Sequence, residues 1–281
     1  MPMDIRRAMR EQPRPLDFVL PGLLGGTVGS IVSPGGAGKS MLALELSLLV
    51  ATRHDMVGLT GDRAYPTGRV VLLAAEDPPD AIAHRLYSLA RQINNSIIEE
   101  QFAEQMTIVP LVGKQADVFE KDWFEYVMAM ATGTRLLFLD TLRRFHQTDE
   151  NDSGAMAILI GRLEAIAVAT GCSIVFLHHA SKAAALAGQG DQQQASRGSS
   201  VLVDNVRWQM FLAGMTRDQA KAHAVDDVMR VYWVREGVSK QNYGPPVTEV
   251  WLRRVEGGVL VPGHLGAPAA RVARVARRAE A

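Results

Sequence analysis

Eight consecutive residues, Ser33-Pro-Gly-Gly-Ala-Gly-Lys-Ser40, have the composition of a phosphate cradle. Phosphate oxygens need backbone N–H groups turned toward them, and Gly35, Gly36 and Gly38, with the small Ala37 between, let the chain turn that way. The apolar segment that follows reads as a helix whose N-terminus lies beneath the loop. Lys39 would face the β- and γ-phosphates, and the Ser40 hydroxyl would ligate Mg²⁺. Ser33 stands where the Walker A pattern has its first glycine. ATP and Mg²⁺ are therefore the expected cofactors.

A phosphate-transfer site also needs acids and a charge sensor. Asp140 ends the apolar run RLLFLD and is placed to hold Mg²⁺ as a Walker B aspartate. Glu76 ends RVVLLAAE and can orient and deprotonate an attacking water. Asp77 is its rival, better suited to capping the helix that begins at Pro78. His178 and His179 follow SIVFL, with no carboxylate or cysteine at ligand spacing, so they suit sensing a γ-phosphate better than binding a metal. Arg207 precedes Trp208 near the start of a strand, where it is either an exposed edge position or a functional cation.

The elements that must position these residues follow from hydrophobic patterning. Apolar, β-branched runs at 27–32, 69–75, 106–109, 135–140 and 173–177 read as buried strands. Segments 41–51, 78–93 and 121–131 read as helices. So does the stretch carrying Met156, Leu159, Ile160, Leu163 and Ile166, with caps among Asn151, Asp152 and Ser153 and a stop at Gly171. The alternation implies an α/β fold, with a largely parallel sheet covered by helices on both faces. Shorter strands around 206–212, 229–238, 248–252 and 259–261 extend that sheet, partly antiparallel. Segments 142–152 and 181–198 have no regular pattern; the second is a long, small, polar connection, and loops this long in a compact domain are usually functional or disordered.

The chain has 281 residues, 30 Lys+Arg, 30 Asp+Glu and one cysteine. This excludes a disulfide framework, a cysteine zinc site and a globally basic nucleic-acid binder. Pro21, Gly22, Gly25 and Gly26 break the apolar stretch after the charged N-terminus, so neither a signal peptide nor a membrane span is expected, and the location is cytoplasmic. Three units are expected: an extended arm at 1–15, a core at 16–262 and a flexible tail at 263–281 carrying Arg271, Arg274, Arg277 and Arg278.

Taken together, SPGGAGKS, LLAAED, LLFLDTLRRFH, SIVFLHHASK, QQQASRGSSVLVDN and GVSKQNYG resemble the motif series of a RecA-like P-loop NTPase core. They are most similar to the hexameric RepA-type replicative helicases of broad-host-range plasmids, and more distantly to DnaB. The resemblance runs from about Leu16 to Val261. It implies a homohexameric ring with ATP at subunit interfaces, moving 5′ to 3′ on single-stranded DNA. By position it assigns Lys39 and Ser40 to the phosphate loop, Glu76 to the catalytic base, Asp140 to Walker B and His179, with His178 adjacent, to the γ-phosphate sensor. Arg207 falls on the arginine finger of RepA-like helicases, and Lys240 on a cation assisting in trans. In DnaB-like helicases the finger lies two places after that lysine, where this chain has Asn242. Arg143, Arg144, Lys182 and Arg197 fall on the two loops that face the DNA channel. The short arm leaves no room for the N-terminal domain of DnaB, so a replication initiator or primase would have to bind elsewhere.

A motor coupling ATP hydrolysis to duplex unwinding fits these residues best, since small loops with isolated cations track backbone phosphates without reading bases. Two other classes use the same phosphate loop: a RecA-like DNA-binding or regulatory ATPase that only switches conformation, and a small-molecule kinase. The neutral QGDQQQ stretch makes a poor kinase lid.

Overall fold

Residues 2–179 and 201–266 are described in the computed structural model. In chain order they form α1 (Ile5–Arg10), β1 (Phe18–Leu20), β2 (Leu23–Leu24), β3 (Val28–Ser33), α2 (Lys39–Thr52) and β4 (Val70–Ala74). Next come α3 (Pro79–Ile93), α4 (Ser96–Gln105), β5 (Met106–Pro110), α5 (Lys121–Ala131), β6 (Leu136–Asp140), α6 (Ser153–Thr170) and β7 (Ser173–His179). The last are α7 (Val201–Asn205), β8 (Trp208–Gly214), α8 (Arg217–Ala222), β9 (Trp233–Gln241), β10 (Val250–Arg254) and β11 (Leu260–Pro262).

Apart from the short β1–β2 pair, the described strands join one sheet in the order β11-β10-β9-β8-β3-β7-β6-β4-β5. The six strands from β8 to β5 are parallel. β9, β10 and β11 add antiparallel. Period-two alternation explains why the parallel strands read as unbroken apolar runs. Val70, Leu72, Leu136, Phe138, Val175 and Leu177 pack under α2, α3 and α4, whereas Val71, Leu73, Leu137, Leu139, Ile174 and Phe176 pack under α5 and α6. The expected two-sided parallel sheet with a C-terminal extension is the architecture found.

Three local readings change. The arm is not extended throughout: Asp4 accepts a hydrogen bond from the Arg7 N–H, an Arg7–Glu11 pair closes the turn, and α1 forms with no buried residue. The segment 142–152 is not an open loop. It begins with a 3₁₀ turn at Leu142–Arg144, buries Leu142, Phe145 and His146, and ends with Asp152 capping α6 through the Gly154 and Ala155 N–H groups. The third change is that α4 and α8 interrupt stretches left unassigned; Asn95 caps the first and a Thr216–Gln219 capping box starts the second. Segment 181–198 and the arginines of the tail lie outside the described residues.

By length and composition α6 could cross a bilayer, but its buried face (Met156, Leu159, Ile160, Leu163, Ile166, Ala167) lies on the sheet, and Arg162 donates to the Val118 carbonyl. The opposite face of the sheet holds a less ordinary feature. Glu236 on β9 is wholly buried, and neither of its carboxylate oxygens has a hydrogen-bond partner among the described residues. Burial, with the Asp55 carboxylate adding to it, pushes Glu236 up to about 8. Glu45 on α2 is also buried and raised well above the carboxylate range by that burial. The Leu260 N–H opposes the rise at 2.6 Å, and the charge of Glu236 adds to it.

A carboxylate raised in the folded state binds a proton that the unfolded chain releases. Stability should therefore fall as pH rises from about 4.5 through about 8, by up to about 1.4 kcal/mol per pH unit for each such proton. Glu236→Gln should flatten that loss and melt higher than wild type at pH 8.5. Thermal midpoints measured from pH 5 to 9 check this, and a wild-type protein equally stable across that range would contradict it.

Candidate functional site

Because β3, β7, β6 and β4 are parallel neighbours, their carboxyl ends share one edge, with Ser33 opposite His179 and Ala74 opposite Asp140. The chain leaving each end contributes to a cavity of about 420 Å³ lined by Lys39, Ser40, Glu76, Asp77, Arg85, His179 and Arg254, among others. The phosphate loop runs from Ser33 into α2. Gly36 and Gly38 hold φ of 73° and 108°, which residues with a Cβ rarely adopt.

Lys39, only 7% exposed, places its Nζ 3.5 and 3.4 Å from the two ring nitrogens of His179. The His179 Nε2 is 3.8 Å from Glu76 Oε1, which also accepts a hydrogen bond from the Thr141 hydroxyl at 2.9 Å. Glu76 is thus aimed into the cavity and held by the residue that follows the neighbouring strand β6. Asp77 faces a different partner, Arg85 of α3. It does not cap that helix, whose N-cap is Pro78 with no side-chain bond. Of the two histidines, His179 lines the cavity, whereas His178 is buried.

Asp140 is 2% exposed, and its Oδ1 has no hydrogen-bond partner among the described residues. Burial pushes it up to about 6, opposed by a hydrogen bond with Ser40 and reinforced by the Glu76 charge. An orphaned carboxylate oxygen beside a hydroxyl is a hard-oxygen donor pair of the kind Mg²⁺ takes, with phosphate oxygens and water completing its shell. Among the described residues no group of three or more His, Cys, Asp or Glu is gathered for a metal. The pair at Ser40 and Asp140 fits a nucleotide-borne Mg²⁺ rather than a resident ion.

Two expected residues lie elsewhere. Arg207 is exposed at the start of β8, and its N–H donates to the carbonyl of Val28 at the start of β3. Lys240 pairs with Gln209 across β8 and β9, and its ammonium donates to the Asp204 carbonyl at 2.9 Å. Burial holds Lys240 below the usual ammonium value, with Asp204 opposing and Arg207 adding to the depression. Both cations therefore occupy the amino edge of the sheet. Along β3 that is four residues, roughly 13 Å, from the phosphate loop.

Of the expected DNA contacts, Arg143 and Arg144 are exposed on the 3₁₀ turn that follows Asp140; Arg143 also donates to the His146 carbonyl. Lys182 and Arg197 lie outside the described residues. Sequence reasoning missed Thr141, Arg85 and Arg254. Thr141 directly follows Asp140 and was within reach of a strand-end argument. Arg254 touches the phosphate loop from 217 positions away, and nothing local marks it.

A family model described as AAA domain matches residues 1–185. Three solved structures share the fold at 12–16% identity, each over 85% of this chain. The first, an ATPase domain, aligns with a TM-score of 0.57 at 15% identity, over 85% of that domain. The RadB recombinase aligns at 0.54 and 12%, over 92% of its length. A DnaB-like replicative helicase, solved to study its interactions with primase, aligns at 0.61 and 16% over 58% of its length. The sheet is that of the RecA-like ATPases, and with well over half of its length matched the chain belongs to the AAA domain family.

Proposed function

We propose that the protein is an ATP-dependent DNA helicase, a ring-forming motor that moves 5′ to 3′ on single-stranded DNA and unwinds duplex. The observation that carries this reading is the division of cations between the two edges of one sheet. Lys39, Ser40, Glu76, Asp140 and His179 meet at the carboxyl edge, while Arg207 and Lys240 stand at the amino edge, out of reach of their own cavity. Arg207 and Lys240 cannot reach the transferring phosphoryl group of their own subunit, and a second copy packed head to tail would bring them to it. A homohexamer closes that contact.

The chemistry follows from the side chains. Lys39 takes the β/γ-phosphates. Thr141 engages one oxygen of Glu76, and the other accepts the proton of the attacking water. His179, between Lys39 and Glu76, senses the γ-phosphate and reports its loss. Ser40 and Asp140 would hold Mg²⁺, which would supply charge neutralisation at the phosphate oxygens. Arg207 of the neighbouring copy stabilises the charge that develops during transfer, with Lys240 beside it. Arg143, Arg144, Lys182 and Arg197 contact the DNA backbone. The motor works in the cytoplasm without a membrane, and a replication initiator or primase is a candidate partner.

Glu76→Gln keeps size but cannot accept a proton, so turnover should fall at least ~10²-fold with nucleotide affinity retained. Asp77→Asn should instead loosen Arg85 and remain active; the reverse pattern in steady-state ATPase assays would exchange the two assignments. For the finger, Lys39→Ala and Arg207→Ala should each be inactive, yet mixing them with subunit exchange restores about one interface in four and with it measurable ATPase. Silence in a mixture that demonstrably exchanges subunits would remove Arg207 from the site and make Lys240 the next to test. ATPase stimulated by single-stranded DNA, with strand displacement on a 5′-tailed fork, tests the whole reading. Without either, the conformational-switch ATPase becomes the better account.

A further inference from the structure

Arg254, the last residue of β10, reaches into the phosphate loop. Its Nη2 donates to the Ala37 carbonyl at 2.6 Å and to the Gly36 carbonyl at 3.3 Å. Ala37 is 8% exposed, so its carbonyl needs a partner inside the protein. A trans peptide points its C=O and N–H in opposite directions, and the peptide that carries the Ala37 carbonyl also carries the Gly38 N–H. That N–H meets no acceptor among the described residues. Gly38, at φ 108° and without a Cβ, has the rotational freedom to turn this peptide either way.

We propose that Arg254 is a positioning residue of the phosphate loop: by holding the Ala37 and Gly36 carbonyls on its guanidinium, it keeps the Gly38 N–H turned the opposite way, to meet the β-phosphate. The hairpin that carries Arg254 is itself fixed from two sides. The Leu260 N–H donates to Glu45 of α2 at 2.6 Å, anchoring β11. The turn between β10 and β11 sits so closely on α3 that a Cβ added at Gly257 would lie 2.0 Å from the Ser88 hydroxyl. The antiparallel extension thereby completes the phosphate cradle as well as widening the sheet.

The inference rests on nucleotide being the ligand of this loop, and the test separates the two. Dissociation constants are measured for wild type, Arg254→Met and Arg254→Lys with ADP, a non-hydrolysable ATP analogue and AMP. Wild type that binds none of them overturns the reading of the site itself. Otherwise Arg254→Met should bind ADP and the ATP analogue about tenfold more weakly, by the same factor for both, because both carry the β-phosphate; that is the size of one charge-assisted hydrogen bond. AMP binding should stay unchanged. In steady-state ATPase titrations the KM should rise with kcat largely kept. Arg254→Lys, which keeps the charge but reaches less far, should fall between wild type and Arg254→Met, and it is read in the same way if the methionine variant does not fold. Loss confined to the ATP analogue would mean that the guanidinium touches the γ-phosphate directly, which overturns the proposal. So would unchanged affinities with a lowered melting point, the mark of a latch that only stabilises the hairpin.

Discussion

Parallel pairing of β3, β7, β6 and β4 is the constraint on which the site depends. A parallel ladder sends all its carboxyl ends to one edge, so residues 33–40, 76–77, 140–141 and 179 meet although up to 146 positions separate them. Crossovers through α2, α3 and α6 must cover both faces for such a sheet to exist, and each strand is then apolar on both sides. The only polar groups the strands can then carry are at their ends or sealed inside.

The chain has both kinds, and their contrast is informative. Asp140 and Glu236 share one physical signature: a buried carboxylate with unmet hydrogen-bonding capacity, raised by burial. Asp140 lies at a strand end beside Ser40 and Lys39. Glu236 is closed off between β9 and α2 with Glu45 and Asp55 nearby. A raised carboxylate identifies a functional position only where something can approach it. By that standard Asp140 qualifies and Glu236 does not.

The parts of the fold legible in the sequence were those governed by local rules. Lys121–Ala131 was bounded by its helical pattern, Asp152 and Gly171 announced the ends of α6, and RLLFLD placed Asp140. Thr216-x-x-Gln219 is equally local and was overlooked, because the segment after Gly198 reads as strands and a short polar helix among them has little apolar signal. The choice of Glu76 over Asp77 rested on strand-end position. Position alone does not give the partners: Arg85 engages Asp77, and Thr141 with His179 lies on Glu76. Arg254 was beyond any such rule. Its partner is set by where an antiparallel strand ends in space, and no spacing within the chain encodes that.

The antiparallel extension also acts as a ruler. Trp233 and Val234 pair beside the end of β10 that carries Arg254, while seven positions along β9 Lys240 reaches the opposite edge next to Gln209. Between them Glu236 occupies its sealed position. Since side chains alternate, deleting or inserting one residue within β9 would turn Glu236 outward and a neighbour inward. It would also shift Lys240 off its edge. Apart from the register shift already present between Val238 and Lys240, length variation in this part of the chain should therefore fall in the connections, above all residues 242–249 between β9 and β10, where Gly244, Pro245 and Pro246 make no strand pairing. Among relatives that keep both cationic edges, chain length should drift at that turn and stay fixed in the strands on either side of it.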